Sequence, residues 1–152
     1  MKNNVNQPET DERTISIVLP VHNREDIIGK VIEGIIENTT NNAREMFVIL
    51  DACTDDSENV MLKHLVGKRD TLDVKIVYAD YDNQTIACNI GCRSSQCKYS
   101  LIVPSDMIID EPKFDQRLLN SFEKNAPNAR EGNTLVLVEN SKLVKLDFEV
   151  DD

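Results

Sequence analysis

The feature that most constrains this chain is an alternation. Short, unbroken aliphatic runs are separated by longer stretches whose apolar residues recur at helical spacing. The runs are ISIVL at Ile15 to Leu19, MFVIL at Met46 to Leu50, VKIVYA at Val74 to Ala79, YSLIV at Tyr99 to Val103 and TLVLV at Thr134 to Val138. Continuous runs rich in β-branched residues mark strands buried on both faces, as in parallel sheets. After the first run, Ile27, Ile28, Val31, Ile32, Ile35 and Ile36 form one helical stripe. Asn23 is its expected N-cap, with Glu25 and Asp26 in its first turn. Helices are also expected from Asn59 to Lys68, more weakly from Gln84 to Gln96, and around Phe114, Leu118, Leu119 and Phe122. Near the end, Val144, Leu146, Phe148 and Val150 alternate with Lys145, Asp147 and Glu149, the pattern of a half-solvated strand. Alternation at these lengths implies right-handed crossovers. The expected fold class is therefore α/β, a mostly parallel sheet with flanking helices.

A chain of 152 residues is read as one domain over 14–152, behind a short disordered lead-in at 1–13. No apolar run approaches the ~18 residues of a membrane span. The polar start carries no secretory h-region, so a cytoplasmic location is expected. The net charge of −10 argues against nucleic-acid partners, which require basic surface. Cys53, Cys88, Cys92 and Cys97 form no CxxC pair. A zinc site would need two further ligands, and the cysteines are read as reduced, small hydrophobes.

In sheets of this kind ligands sit at the carboxyl ends of the strands. That rule selects PVHNRED, DACTDDS, ADYDNQ and PSDM, which follow the first four runs. No glycine-rich loop follows the first run, so a dinucleotide fingerprint and a P-loop are both absent. A phosphate ligand would have to be met by carboxylates and a cation. Asp106 is the notable carboxylate, set between Leu101–Val103 and Met107–Ile109. It reads either as a metal ligand or as a turn residue that satisfies nearby backbone N–H groups.

Three motifs then carry a family likeness. SIVLPVHNRED resembles the opening of family-two glycosyltransferases, a strand followed by a Pro-x-aromatic-Asn turn. VILDACTDDS resembles their Val-Asp-Asp-Gly-Ser-Thr-Asp-x-Ser segment. ACNIGCRSSQCKYSLIVPSDMII resembles their Ala-Arg-Asn-x-Gly helix, strand and DxD-like metal motif. The order and spacing agree from Ile15 to about Asn125.

The resemblance implies a GT-A fold, shortened at its C-terminus, that binds a nucleotide-diphosphate sugar. It implies metal-assisted transfer of a hexose to an acceptor. Pro20, His22 and Asn23 would line the nucleoside, with His22 in place of the usual aromatic. Asp51 would contact base or ribose, Ser105 would be a substrate-binding residue, and Asp106 would hold Mg2+ or Mn2+. His22 also reads as an ordinary loop histidine, and Asp51 as a strand-end turn residue. The sequence departs from the motifs at Leu50, Ala52-Cys53, Cys88 (the helix arginine) and Pro104, or Ser105 in an alternative register (the first metal aspartate). These departures leave a rival from another class, a catalytically inert binding or assembly module. In that rival, the strand at Val144 to Val150 could pair with a second copy or a partner chain. No general base is identifiable: Asp147, Glu149, Asp151 and Asp152 match no motif.

Overall fold

A computed structural model describes residues 13–66, 70–125 and 135–140. The elements run β1 (Ile15–Val21), α1 (Ile28–Asn38), β2 (Ala43–Asp51), α2 (Ser57–His64), β3 (Asp73–Ala79), α3 (Gln84–Ser94), β4 (Tyr99–Ile102), α4 (Phe114–Asn125) and β5 (Val136–Glu139). The sheet order is β3-β2-β1-β4-β5. β1 pairs in parallel with β2 and β4, β2 with β3, and only β4–β5 is antiparallel. This is the mostly parallel α/β sheet the alternation implies. The half-solvated strand expected at 144–150, and nearly all of the lead-in, lie outside the described residues. Arg13, assigned above to the lead-in, is anchored on α4 through Glu123 and Asn120.

The period of two along each strand sorts the side chains to two faces. Ile15, Ile17, Leu19 and Val21 join Met46, Val48 and Leu50 in the larger core, under Ile28, Val31, Ile32 and Ile35 of α1 and Phe114, Leu118 and Leu119 of α4. Phe47 and Ile49 face the other way, onto Ala87 and Ile90 of α3. There the helix approaches so closely that a Cβ on Gly91 would lie 2.4 Å from Val18 Cγ1. Gly91 of the third motif is thus a packing residue. Asn89, two residues before it in α3, is exposed.

Several boundaries differ from the sequence reading for identifiable reasons. β2 begins three residues before Met46. Glu45, which directly precedes the apolar run, is nevertheless buried. It accepts hydrogen bonds from Ser16 Oγ, Lys75 Nζ and Gln96 N. Burial pushes this carboxyl up, but those three donors outweigh it and hold it below the usual carboxylate range.

β1 continues through Pro20 to Val21. Val103 N–H donates to the Val18 carbonyl, just after β4 has ended at Ile102. Two residues on, Pro20 faces the same side with no strand beside it, so its missing N–H breaks no ladder bond. α1 starts at Ile28 with Ile27 as its N-cap, not Asn23. The turn into it closes on the Arg24 carbonyl, which accepts from Ile27 N and Ile28 N. Asn23 instead accepts from Thr54 N and Asp55 N.

Candidate functional site

In the order β3-β2-β1-β4, the chain winds outward on both sides of β1. The carboxyl ends of β1 and β4 therefore form a topological switch point, where open α/β sheets leave a crevice. A cavity of about 240 Å3 lies there. Pro20, Val21, His22 and Arg24 line it from the end of β1, Asp51 from β2, and Ser105 from the turn after β4. Asp82, Asn83, Gln84 and Ala87 close it from the start of α3. The cavity thus gathers Pro20, His22, Asp51 and Ser105 from all three motifs.

Asp51 ends β2 and is 3% exposed. Its Oδ1 accepts from Tyr81 N at 2.7 Å and Asp82 N at 2.9 Å, and its Oδ2 from Asn83 N at 2.9 Å. Burial pushes the carboxyl up, but the three backbone N–H groups and the neighbouring His22 together hold it below the usual carboxylate range. Asp51 therefore ties the β3–α3 loop to the cavity wall, with lone-pair capacity left at Oδ2 for one further donor. Asn83 caps α3 by accepting from Ile86 N.

His22 bridges the two walls. Its Nδ1 lies 2.9 Å from the Asp51 carbonyl oxygen. A carbonyl only accepts, so this nitrogen carries the proton. Its Nε2 lies 3.5 Å from Asp82 Oδ1, and the ring is about half exposed. Asn23 does not line the cavity. Its Oδ1 accepts from Thr54 N at 2.7 Å and Asp55 N at 3.2 Å, so it braces the β1–α1 loop against the β2–α2 loop. Asn23, Ala52 and Asp82 all have positive φ, at 51°, 56° and 51°. Backbone conformations that disfavour ordinary side chains thus cluster around the cavity.

Asp106 is exposed and makes no hydrogen bond or ion pair among the described residues; Ser105, its neighbour, is buried. The chain therefore bears no cost of burying this carboxylate. Asp106 follows Ser105 in the chain but is not among the residues that line the cavity. Among the described residues no three His, Cys, Asp or Glu side chains cluster as a metal-holding group.

The sequence reading missed Arg24, Asp82, Asn83 and Gln84. Arg24 sits in the PVHNRED turn that the strand-end rule selects, so its position was the available signal. Arg93 and Lys98 are the basic residues nearest the third motif's helix and strand in sequence, and neither lines the cavity. Lys98 lies over the Tyr99 ring instead.

A family model, Glycosyl transferase family 2, matches residues 16–130. No curated protein matches the chain in sequence. Among solved structures, the chain is similar to the mannosyltransferase PcManGT from Pyrobaculum calidifontis in complex with GDP-Man and Mn2+. The TM-score is 0.72 at 15% identity, over 95% of this chain and 50% of that one. It is similar to TarS of S. aureus, with TM-score 0.66 at 13% identity over 88% and 49%. It also resembles glucosyl-3-phosphoglycerate synthase from Mycobacterium tuberculosis in complex with Mn2+, UDP and phosphoglyceric acid. There the TM-score is 0.59 at 19% identity over 83% and 47%. These likenesses concern the fold, and the chain spans about half the length of each of these proteins.

Proposed function

The chain belongs to glycosyl transferase family 2, and from that premise we propose that it binds a nucleotide-diphosphate sugar in the switch-point cavity and transfers the sugar to an acceptor. The observation that carries this reading is the convergence of Pro20, His22, Asp51 and Ser105 on one crevice. His22, tethered at Nδ1, is placed to meet the base, and Asp51 Oδ2 retains capacity for a base or ribose donor. Asn23 acts indirectly, by fixing the loop that carries His22. Two proteins of similar fold, one in complex with GDP-Man and Mn2+ and one with Mn2+, UDP and phosphoglyceric acid, support the nucleotide-binding reading.

The donor set fits a hard divalent cation. Mg2+ and Mn2+ keep waters and use one or two carboxylates together with phosphate oxygens, and Asp106 is an exposed carboxylate with no competing partner among the described residues. Asp106 would hold the ion, which when bound supplies Lewis-acid neutralisation of the departing diphosphate. The four cysteines are free, which fits a reducing compartment such as the cytoplasm.

The test is a panel of UDP-, GDP- and dTDP-sugars, each with and without Mn2+, followed by thermal shift and then by nucleotide release. Binding followed by release of free nucleotide supports transfer. A panel without any binder sinks the proposal. A second reading, the inert binding module, is favoured by the departures from the family motifs at Leu50, Cys88 and Pro104. It predicts binding with no release.

A further inference from the structure

We infer that Arg24 is the anion clamp of this site, its guanidinium taking the diphosphate of the bound nucleotide. The inference rests on the nucleotide-sugar reading above and assigns a role to a residue that the three motifs leave unused.

The charges around the cavity are unequal in how far they are satisfied. Asp51 is engaged by three backbone N–H groups, and Asp82 lies 3.5 Å from His22. Arg24 lines the same cavity and faces no carboxylate at ion-pair distance among the described residues. Its Nε donates to Ser105 Oγ at 3.3 Å, and its Nη1 and Nη2 make no hydrogen bond there. A guanidinium held by Nε presents its two terminal nitrogens as a fork, the geometry that suits phosphate oxygens. In a chain of net charge −10, an arginine lining this cavity without a carboxylate partner among the described residues leaves its terminal nitrogens available to an anion.

Two further observations bear on the anion's place. Ser105 precedes Asp106 directly, so the residue that anchors the clamp and the metal-binding candidate are neighbours in the chain. At the helix position where related motifs carry arginine, this chain has Cys88. Burial, with a smaller contribution from Cys92, pushes that thiol up to about 11, so it is neutral and offers no charge.

The experiment compares two ligand pairs, UDP against uridine and GDP against guanosine, by calorimetric titration of wild type, Arg24→Gln and Arg24→Lys. The expected result is a diphosphate preference in wild type that Arg24→Gln cuts about tenfold, with nucleoside affinity unchanged and Arg24→Lys in between. Melting temperatures of the variants check folding; Arg24 is exposed and should be dispensable for it. Equal losses on nucleoside and diphosphate would mean that Arg24 only shapes the loop, and would overturn the clamp. So would unchanged UDP and GDP affinity in Arg24→Gln. If wild type binds neither nucleotide, the site reading itself fails and the clamp fails with it. Nucleotide binding indifferent to Arg24 removes the clamp alone.

Discussion

Ala52 occupies the position of the glycine in the second-strand motif, and it carries the cost of that exchange. Its φ is 56°, where a Cβ is disfavoured by roughly 1–2 kcal/mol. Its N–H is fixed to the Ala79 carbonyl at 2.8 Å, so the turn cannot relax. Ala52→Gly should relieve the strain and lose part of the gain to the freer unfolded chain, for a net increase of about 0.5–1 kcal/mol. Ala43→Gly, within β2, should do the opposite. Chemical denaturation of both variants checks this, and a less stable Ala52→Gly would refute the account. Beside it, Asp51 makes a second prediction. Its folded-state carboxyl is held below its unfolded value. The stability it contributes is therefore present above the unfolded value near pH 4 and is lost as pH falls through the folded one. Asp51→Asn turns one acceptor into a donor facing backbone N–H groups. It should cost about 1–3 kcal/mol at neutral pH and remove this part of the acid-side slope. Amide exchange at Tyr81, Asp82 and Asn83 should accelerate in the variant, and wild-type exchange there would contradict the anchoring role.

At the scale of elements, the helices reach the sheet and each other through glycines. A Cβ on Gly34 of α1 would lie 2.5 Å from the Ile109 backbone oxygen, whereas one on Gly29 would meet the tip of His64 at 2.4 Å. The difference lies in what can move. The Ile109 carbonyl is also held by Asn38 Nδ2 at 3.0 Å, while His64 is a half-buried side chain whose ring is tied only to another side chain, the exposed Glu33 carboxylate. Gly34→Ala should therefore cost about 2–3 kcal/mol, as overpacking against a fixed backbone does, and Gly29→Ala under about 1 kcal/mol. Equal losses in urea denaturation would show that the neighbour's freedom does not decide the cost. The same scale explains what was legible beforehand. Aliphatic runs report burial directly, so the strands and their order of appearance could be read. Glu45 could not, because its burial depends on Ser16 and Gln96, which lie far away in sequence. Pro20 read as a strand end because nothing local shows that β4 stops short beside it. Asn23 read as a cap because its true partners, Thr54 and Asp55, belong to another loop. Arg24 lay in a turn that the strand-end rule selects, but its partner Ser105, 81 residues away, shows only in the fold.

Across the whole molecule, the net charge of −10 draws cations to the surface in general, so metal dependence means little unless one carboxylate accounts for it. Asp106 permits a clean separation. It is exposed and without a partner among the described residues, so Asp106→Asn should leave the melting temperature of the free protein within about 1–2 °C of wild type. A sugar nucleotide at about 100 times its Kd should stabilise wild type by about 2.7 kcal/mol, on the order of 5–10 °C for a chain of this size. Most of that shift should need Mn2+. In Asp106→Asn the shift should be small and equal with and without the metal, while Mn2+ alone moves both proteins equally through diffuse attraction to the acidic surface. A variant that keeps the wild-type response to Mn2+ rejects Asp106 as the ligand. The diphosphate would then have to be met by protein cations alone, and Arg24 is the only arginine or lysine among the described residues lining the cavity.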